Sequence, residues 1–239
     1  MKPGIQTGAA RADCPFPYGL GQAGVHELAE GGFGDFPVLT GFALASLRDA
    51  GRAGACVWIR QAALAREHGH LSGRGLAAFG VDPGRVILVE AKARMEALRA
   101  AEEACRSTGL AGVIAELDDM DFTASRRLGL ACEASRTPLV LMFPHTRSGA
   151  TAAQGRWRVS ARPSAPDQYD ARAPGRPAWR AVLEKSRLRP GMAGQIFDVE
   201  FADETPCLRL VSGLAARPSA PQPRRIGSGM ADLPWRNAG

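Results

Sequence analysis

A glycine-rich turn between an apolar strand and an apolar helix is the first feature of this sequence that could do chemistry. The stretch VHELAEGGFGDFPVLTGFALASL, residues 25–47, has the layout of a phosphate-binding loop. Such a loop surrounds phosphate oxygens with backbone N–H groups, places a lysine on the β- and γ-phosphates, and holds Mg²⁺ through a serine or threonine hydroxyl. The glycines that the backbone needs are present at Gly31, Gly32 and Gly34.

The three residues after these glycines do not suit a phosphate. Asp35 would repel the phosphate charge, Phe36 supplies no cation, and Pro37 has no hydroxyl for Mg²⁺. The sequence therefore predicts a degenerate nucleotide site, in which this turn only connects a strand to a helix.

Other residue groups offer weaker chemistry. Glu116 closes the apolar segment GVIAEL, as an acid does beside a nucleotide site, although any buried strand can end in a carboxylate. The LDDMD stretch, residues 117–121, could hold a hard cation, but such a cluster is more typical of a solvated loop that caps a helix. His68 and His70 have no further ligand at zinc spacing, so a polar loop is favoured, and His145 is either a sensor-type residue or a solvated strand end. Since no G-x-S-x-G elbow or Cys/His pair is present, we predict no catalytic residue, no cofactor and no metal.

Five apolar segments position these residues. They recur at intervals of roughly 25 to 30 residues, which fits a strand, a crossover helix and a turn, so they are predicted to be parallel strands. Four are nearly continuous apolar runs, as expected for strands covered on both faces. The segments are residues 25–29, 55–59, 85–90, 112–117 and 138–143.

Helices are predicted between these strands. The helix after the glycine-rich turn spans about residues 37–50. The pattern over 92–108 puts apolar side chains on one flank, with Gly109 as a C-terminal stop. A further helix over 123–135 begins with Thr123 as its N-cap.

The chain changes character beyond residue 145. Segments that alternate in polarity between Pro- and Gly-rich turns predict antiparallel strands. These segments are residues 155–164, 177–186, 195–204 and 207–213. The fold class is therefore α/β, with a central, mainly parallel sheet flanked by helices and extended by antiparallel strands at its C-terminal side.

Three parts of the chain are predicted: an N-terminal extension over 1–19, a domain over 20–213, and a basic tail over 214–239. The tail is rich in Pro, Gly, Ser and Arg and cannot bury enough apolar surface to order itself, so disorder is predicted. Its LPW, residues 233–235, is either an apolar anchor that folds onto a partner or an inert part of the tail.

Composition indicates a globular, cytoplasmic protein. Of the residues, 45% are hydrophobic and 23% charged, and no apolar run approaches the roughly 18 residues of a membrane span. The N-terminal stretch has no signal-peptide pattern, and five scattered cysteines indicate neither a disulfide framework nor a zinc site. The net charge of +6, mostly from arginine, suits nucleic acid or an acidic partner, but a GC-rich genome also favours arginine.

In this order the segments resemble the core of RecA-type recombinases. The glycine-rich turn takes the place of the P-loop, and FGVD, residues 79–82, matches a RecA stretch that precedes a strand. The resemblance implies that Gln61 stands where RecA proteins carry a catalytic glutamate, and that Glu116 replaces the usual aspartate.

Within that superfamily the sequence is identified as similar to the ImuA family over roughly residues 20–212. The segments that carry the similarity are VHEL, VWI, GVDPGRVILVEA, EEACRSTGLAGVIAEL, DFTASRRLGLACEAS, RWRVSARPSAP and GRPAWRAVLEKSR. The resemblance implies a non-catalytic accessory factor of SOS-induced translesion synthesis, which acts in DNA damage tolerance and mutagenesis. It also implies three partners: an ImuB-like relative of Y-family polymerases, an error-prone DNA polymerase III alpha-type subunit, and RecA.

Two alternatives stay open. One is a RecA-like ATPase or nucleotide-gated switch acting on DNA, with its cation supplied by Lys92 or a neighbouring subunit. The other is a DNA-binding protein that acts alone, which the arginine-rich charge balance suggests. Self-assembly into a recombinase filament is not expected, since only some 20 residues precede the core and the loop before RWRV is shorter than the DNA-binding loop of RecA proteins. The candidate contacts to a partner or DNA are Arg147, Arg156, Arg158, Arg224, Arg225 and Trp235. For Arg147, Arg156 and Arg158 the alternative is an ordinary surface position.

Overall fold

The structure, a computed structural model, describes residues 20, 22–50, 52–167, 169–170, 172–202 and 207–211. The predicted extension over 1–19 and tail over 214–239 lie outside this part of the chain, as do the candidate contacts Arg224, Arg225 and Trp235. The three-part division of the chain therefore stays a prediction.

Within these ranges the chain forms nine strands and five α-helices. The strands are β1 (Gly24–Glu30), β2 (Ala55–Gln61), β3 (Val86–Ala91), β4 (Leu110–Glu116), β5 (Pro138–Phe143), β6 (Gly155–Arg162), β7 (Ala178–Ser186), β8 (Ile196–Ala202) and β9 (Cys207–Leu210). The helices are α1 (Phe36–Ala50), α2 (Ala62–His68), α3 (Gly73–Ala78), α4 (Arg94–Arg106) and α5 (Phe122–Ser135).

All nine strands belong to one sheet in the order β3-β2-β4-β5-β1-β6-β7-β8-β9. The five predicted parallel strands are confirmed, because β1 to β5 pair only in parallel with one another. The prediction of antiparallel strands after residue 145 holds for β7, β8 and β9. For β6 it holds on one side only, because β6 is antiparallel to β7 but parallel to β1.

Two apolar layers hold the helices onto the sheet. On one face, α1 buries Leu39 and Phe42 against a cluster that includes Trp58 and Trp157. On the other face, α4 and α5 pack on a second cluster. Burying a side chain of this size stabilises the fold by about 1.5–3 kcal/mol relative to leaving it exposed.

The edge strand β3 is less covered than its sequence predicts. Ile87 is 52% exposed and Leu88 is 48% exposed. Strand β3 pairs only with β2 within the described sheet. The expectation that this apolar run is covered on both faces is therefore wrong, because the run lies at the edge of the sheet.

Helix ends differ in detail from the sequence-based expectation. Helix α5 is capped by Asp121, whose carboxylate accepts a hydrogen bond from the Ala124 N–H at 2.7 Å, so Thr123 is not the N-cap. Helix α4 ends at Arg106 with Ser107 as its C-cap. Gly109 instead forms the turn into β4, with a φ of 81° that favours glycine.

Three cysteines are core residues. Cys56, Cys105 and Cys132 are buried free thiols, and the Cys105 and Cys132 sulfurs lie 3.2 Å apart between α4 and α5. No helix in the described ranges has both the length and the apolar character needed to cross a membrane.

Candidate functional site: a degenerate nucleotide-binding site

The residues singled out by the sequence gather at one edge of the sheet. Parallel strands β1, β2, β4 and β5 end there, and ligands of open α/β sheets bind at the carboxyl ends of such strands. The turn between β1 and α1 lies at this edge, and Gln61 and Glu116 are the last residues of β2 and β4. The topology therefore brings these residues together where a nucleotide would bind in a RecA-like fold.

The turn uses its own backbone donors inside the protein. The Gly31 N–H donates to the Val159 carbonyl oxygen at 2.7 Å, and a side chain at Gly31 would place Cβ 2.5 Å from Ser160 Cβ. The Gly32 N–H donates to the Asp35 carboxylate at 3.1 Å, and the Asp35 N–H donates to the Gly32 carbonyl at 3.2 Å. These three donors hold the turn against β6 and close it on itself, so they are not directed at a phosphate.

Phe36 takes the place of the phosphate-binding lysine, and its ring is 1% exposed. It stacks on the His68 imidazole with 4.0 Å between ring centres and an angle of 4° between the planes. His68 ends α2 and its side chain is 15% exposed, so the prediction of a polar loop is wrong for this residue. Pro37 follows in the first turn of α1 and is exposed. An aromatic pair therefore occupies the position that a cation would need.

Glu116 is held by a buried ion pair. Its Oε1 accepts hydrogen bonds from Trp58 Nε1 at 2.7 Å and from Arg60 Nε at 2.9 Å. Arg60 and Glu116 are 3% and 1% exposed, and Arg60 also donates to the Gly69 carbonyl at 2.7 Å. Burial raises the pKa of the Glu116 carboxyl above its usual value, while the Arg60 charge and the Trp58 N–H lower it. This carboxylate joins β4 to β2 and the chain after α2.

Gln61 supports the loop after β4. Its side-chain oxygen accepts a hydrogen bond from the Asp118 N–H at 3.1 Å, and the residue is buried. An amide cannot take a proton from water at neutral pH, and this one already has a backbone partner. Its contact is therefore structural.

His145 joins the ends of β5 and β1. Its backbone N–H donates to the Glu30 carboxylate at 2.9 Å, and its Nδ1 lies 3.4 Å from the same oxygen. Arg158 donates through Nη1 to the carbonyl oxygens of Glu30 and His145, each at 2.9 Å, and its Nε pairs with Glu184. Arg158 thus holds the turn after β1 and the loop after β5 together.

A second buried charge network surrounds Glu27, which lies within β1 and is inaccessible to solvent. Its carboxylate accepts hydrogen bonds from Arg156 Nε at 2.7 Å, from Arg147 Nη2 at 3.2 Å and from the Thr151 hydroxyl. Arg147 also pairs with Asp119 at 2.9 Å. Because Arg147 and Thr151 belong to the loop between β5 and β6, the network holds that loop against the sheet.

The candidate arginines differ in exposure. Arg147 is 5% exposed and Arg156 is 7% exposed, so neither is a surface arginine, and their guanidinium groups face Glu27. Arg158 retains 25% exposure of its side chain while binding Glu184 and three carbonyl groups. Both sequence-based interpretations of these arginines, an ordinary surface residue or a contact to phosphate, require an accessible guanidinium group. The guanidinium groups of Arg147 and Arg156 are buried in this structure.

The aspartates after β4 each have a structural partner. Asp118 pairs with Arg94 at 2.7 Å, and this contact lowers the pKa of the Asp118 carboxyl. Asp119 pairs with Arg147, and Asp121 caps α5. Among the described residues, no group of three or more His, Cys, Asp or Glu side chains is placed to hold a metal ion.

An open cleft of about 620 Å³ adjoins the degenerate site. It is lined by α1, by residues 68–79, which include part of α3, and by the chain at residues 161–164 and 175–179. The Arg60–Glu116 pair and the Phe36–His68 stack lie at one end. Apolar side chains line the rest, among them Leu44, Leu76, Phe79 and Trp179. The cleft therefore extends along α1 from the degenerate site, whose residues Phe36, Pro37, Arg60 and Glu116 line one end of it.

Comparison with known proteins decides the family. Protein ImuA of Caulobacter vibrioides strain NA1000 / CB15N is 34% identical over 234 residues, which cover 89% of this chain and 91% of the relative. Protein ImuA of strain ATCC 19089 / CIP 103742 / CB 15 matches to the same extent. This chain belongs to the ImuA family.

The solved structure of a recombinase supports the fold assigned to this ImuA-family chain. The RadB recombinase aligns with a TM-score of 0.51 and 15% identity, covering 80% of this chain and 92% of that structure. SulA from Pseudomonas aeruginosa matches half of this chain with a TM-score of 0.42 and 22% identity, covering 97% of that structure. No family model matches the sequence. The predicted RecA-like fold is confirmed.

The sequence did not point to several of the buried charged residues around this site. Glu27, Glu30 and Arg60 interrupt the otherwise apolar strands VHELAE and ACVWIRQ, and each is at most 3% exposed. A charged residue within a buried strand needs a charged or hydrogen-bonding partner. That signal could have identified these three residues, but not their partners.

Proposed function

We propose that this protein is a non-catalytic, RecA-like accessory factor of SOS-induced translesion synthesis, which acts in DNA damage tolerance and mutagenesis. Its membership of the ImuA family supports this role. The observation that carries the non-catalytic part is the pairing of Glu116 with Arg60 and Trp58, since this carboxylate would otherwise be the acid beside a nucleotide.

The charges around the turn support the same proposal. A nucleotide triphosphate needs a cation and backbone donors directed at its oxygens. The turn instead offers the Asp35 carboxylate, the buried Phe36 ring, and the N–H groups of Gly31 and Gly32, which already have acceptors. Repair of one position would leave the others unsuited to phosphate, so the scaffold is better fitted to protein contacts than to nucleotide hydrolysis.

The proposed partners are an ImuB-like relative of Y-family polymerases, an error-prone DNA polymerase III alpha-type subunit, and RecA, in the cytoplasm. For contact with them we favour two surfaces: the edge of the antiparallel part of the sheet, and the basic tail that contains Arg224, Arg225 and Trp235. Since Arg147 and Arg156 are buried against Glu27, we propose that the partner proteins supply most of the DNA contacts.

Replacing the chromosomal gene tests the non-catalytic role. Gln61→Ala removes the side chain that stands at the catalytic position and one buried hydrogen bond, so we expect damage-induced mutation frequencies within about twofold of the parent while deletion abolishes them. Immunoblotting controls for protein level. A loss of mutagenesis at normal protein level would contradict the proposal and favour the ATPase alternative.

Co-purification tests the partners. The full chain and a chain ending at about residue 213 are each co-expressed with the ImuB-like protein and, separately, with RecA. We expect the full chain to retain both proteins and the shortened chain to lose at least one. If the shortened chain retained both, the tail would be dispensable for binding; if the full chain retained neither, the accessory role would be wrong.

A further inference from the structure

The cleft between α1 and α3 has the surface of a binding groove. Its aromatic side is compact, because a side chain at Gly41 would bring Cβ to 3.0 Å from Phe79 Cζ and 3.3 Å from Trp179 Cζ2. Phe79 also packs against Phe201 with 5.0 Å between ring centres. The walls are therefore fixed by the core rather than by mobile surface side chains.

The volume of the cleft is large enough for several side chains. At about 620 Å³ it falls within the roughly 300–1,000 Å³ of pockets that bury most of a small ligand. Its walls are mainly apolar and its rim carries His70 and Arg162. A short apolar segment with a large aromatic residue would complement this surface.

The described chain ends close to this cleft. The Val211 N–H donates to the Asp198 carbonyl oxygen at 2.8 Å, and the Asp198 carboxylate lies 3.4 Å from Arg162 Nη1 on the rim. Strand β9 also lies beside α1, which forms one wall. About 20 residues separate Val211 from Leu233, a length that spans up to roughly 70 Å when extended.

The tail contains one segment of matching chemistry. Residues 212–239 hold a single aromatic side chain, Trp235, which follows Leu233 and Pro234. The proline favours an extended backbone at Leu233, and an extended segment suits a narrow groove.

We propose that residues 233–235 bind in this cleft of the same chain, with the Trp235 indole against the partly exposed ring of Phe79. Tethering supplies the segment at an effective concentration on the order of 1 mM, so an intrinsic Kd of about 100 μM would keep the cleft about 90% occupied. A partner that binds Trp235 must then displace it from the cleft. The inference concerns the free protein and does not rest on the proposed function.

Photo-crosslinking of the full chain tests where the segment lies. Trp235 is replaced by p-benzoylphenylalanine and the purified protein is irradiated at low micromolar concentration. We expect crosslinks within one chain to peptides that contain residues 36–44, 68–79, 161–164 or 175–179, all of which line the cleft. Crosslinks mainly between two chains, crosslinks to other regions, or no crosslink would each overturn the inference.

A cleft-filling variant provides the matched control. Gly75 lines the cleft, and a Cβ added there meets only Ser72, at 3.5 Å or more, so Gly75→Leu adds volume without a steric clash in the helix. We expect Gly75→Leu to reduce crosslinking at least fivefold while the circular dichroism spectrum stays unchanged. Undiminished crosslinking in this variant would contradict binding in the cleft.

Hydrogen exchange gives a second readout without a photoprobe. In the full chain, Trp235→Ala should raise the exchange rates of amides in α3 by at least threefold and leave those of α5 unchanged. Met230→Ala, which lies outside the proposed segment, should change neither helix. Equal rates in α3 for the parent and Trp235→Ala would overturn the inference.

Discussion

Arg60 and Glu116 lie directly opposite each other on β2 and β4, and each is almost completely buried. An ion pair in such a place gains strong attraction but loses the hydration of both charges. Removing one partner is therefore more costly than removing the pair, because the remaining charge stays buried without compensation. The pair also holds the Glu116 carboxylate in a structural contact between β4 and β2.

Substitution of this pair tests that account. Arg60→Met should lower the free energy of unfolding by about 3–5 kcal/mol, because it leaves the Glu116 charge buried. The double variant Arg60→Met/Glu116→Gln should recover most of that loss, since the glutamine still accepts the Trp58 hydrogen bond. Urea denaturation measures both values. A double variant as unstable as the single one would show that the charges are not the cause.

His26 is a second buried titratable residue. It is 1% exposed, and burial lowers the pKa of its imidazole from 6.5 to about 4, while its hydrogen bond to the Gln22 carbonyl has the opposite effect. The unfolded chain therefore takes up a proton at His26 near pH 6.5, whereas the folded protein does so only near pH 4. Stability from this residue is present above pH 6.5 and is lost as the pH falls towards 4.

We expect His26 to account for a loss of about 3 kcal/mol in the free energy of unfolding between pH 7 and pH 4. His26→Gln should show a correspondingly smaller loss over this range in urea denaturation. The exposed His70→Gln serves as the control and should lose as much as the parent. Parallel pH profiles for His26→Gln and the parent would contradict the assignment.

At the level of elements, the turn between β1 and α1 is fixed by contacts that the sequence does not reveal. The glycines and the residues Asp35, Phe36 and Pro37 predicted a degenerate loop, but the bond from the Gly31 N–H to Val159 depends on β6 lying beside β1. Since β6 is more than 120 residues away in sequence, only the sheet order brings it there.

Partial restoration of the nucleotide motif should therefore fail. Phe36→Lys combined with Pro37→Thr restores the cation and the hydroxyl, but leaves Asp35 and the engaged glycine N–H groups in place. We expect no ATP binding by calorimetry and a loss of stability of about 3–5 kcal/mol from the buried ring. Pro37→Thr alone should change stability by less than about 0.5 kcal/mol. Micromolar binding by the double variant would contradict this view of the turn.

The loop between β5 and β6 depends on Glu27 in the same way. Glu27→Gln leaves Arg147 and Arg156 buried without their common carboxylate, so we expect a loss of about 3–5 kcal/mol. Glu184→Gln, which removes the partly exposed partner of Arg158, should cost less than about 1 kcal/mol. Thermal unfolding of the two variants measures the contrast. Similar losses would show that the Glu27 network does not hold the loop.

Strand positions were predictable from the sequence where burial decides them. The apolar runs located β1, β2, β4 and β5 because these central strands are covered on both faces. The direction of β6 was not predictable, since a period of two is the same for parallel and antiparallel pairing. The exposure of β3 follows from its place at the edge of the sheet, which a local pattern does not record.

For the whole molecule, the RecA-like topology was predictable because each strand, turn and helix appears in order in the sequence. The partners of its buried charges were not, because Glu27 meets Arg147 and Arg156 across more than 100 residues of chain. In the complete fold, the polar groups at the position of a nucleotide site therefore make contacts within the protein. An open cleft extends from that position along α1.

Calorimetric titration of the full chain with ATP and Mg²⁺ tests the central claim most directly. The account predicts no measurable heat of binding up to about 1 mM ATP, which corresponds to a binding free energy weaker than about −4 kcal/mol. Phosphate release should equal that of buffer alone. Micromolar binding together with turnover would contradict the account and show that this scaffold is an active ATPase.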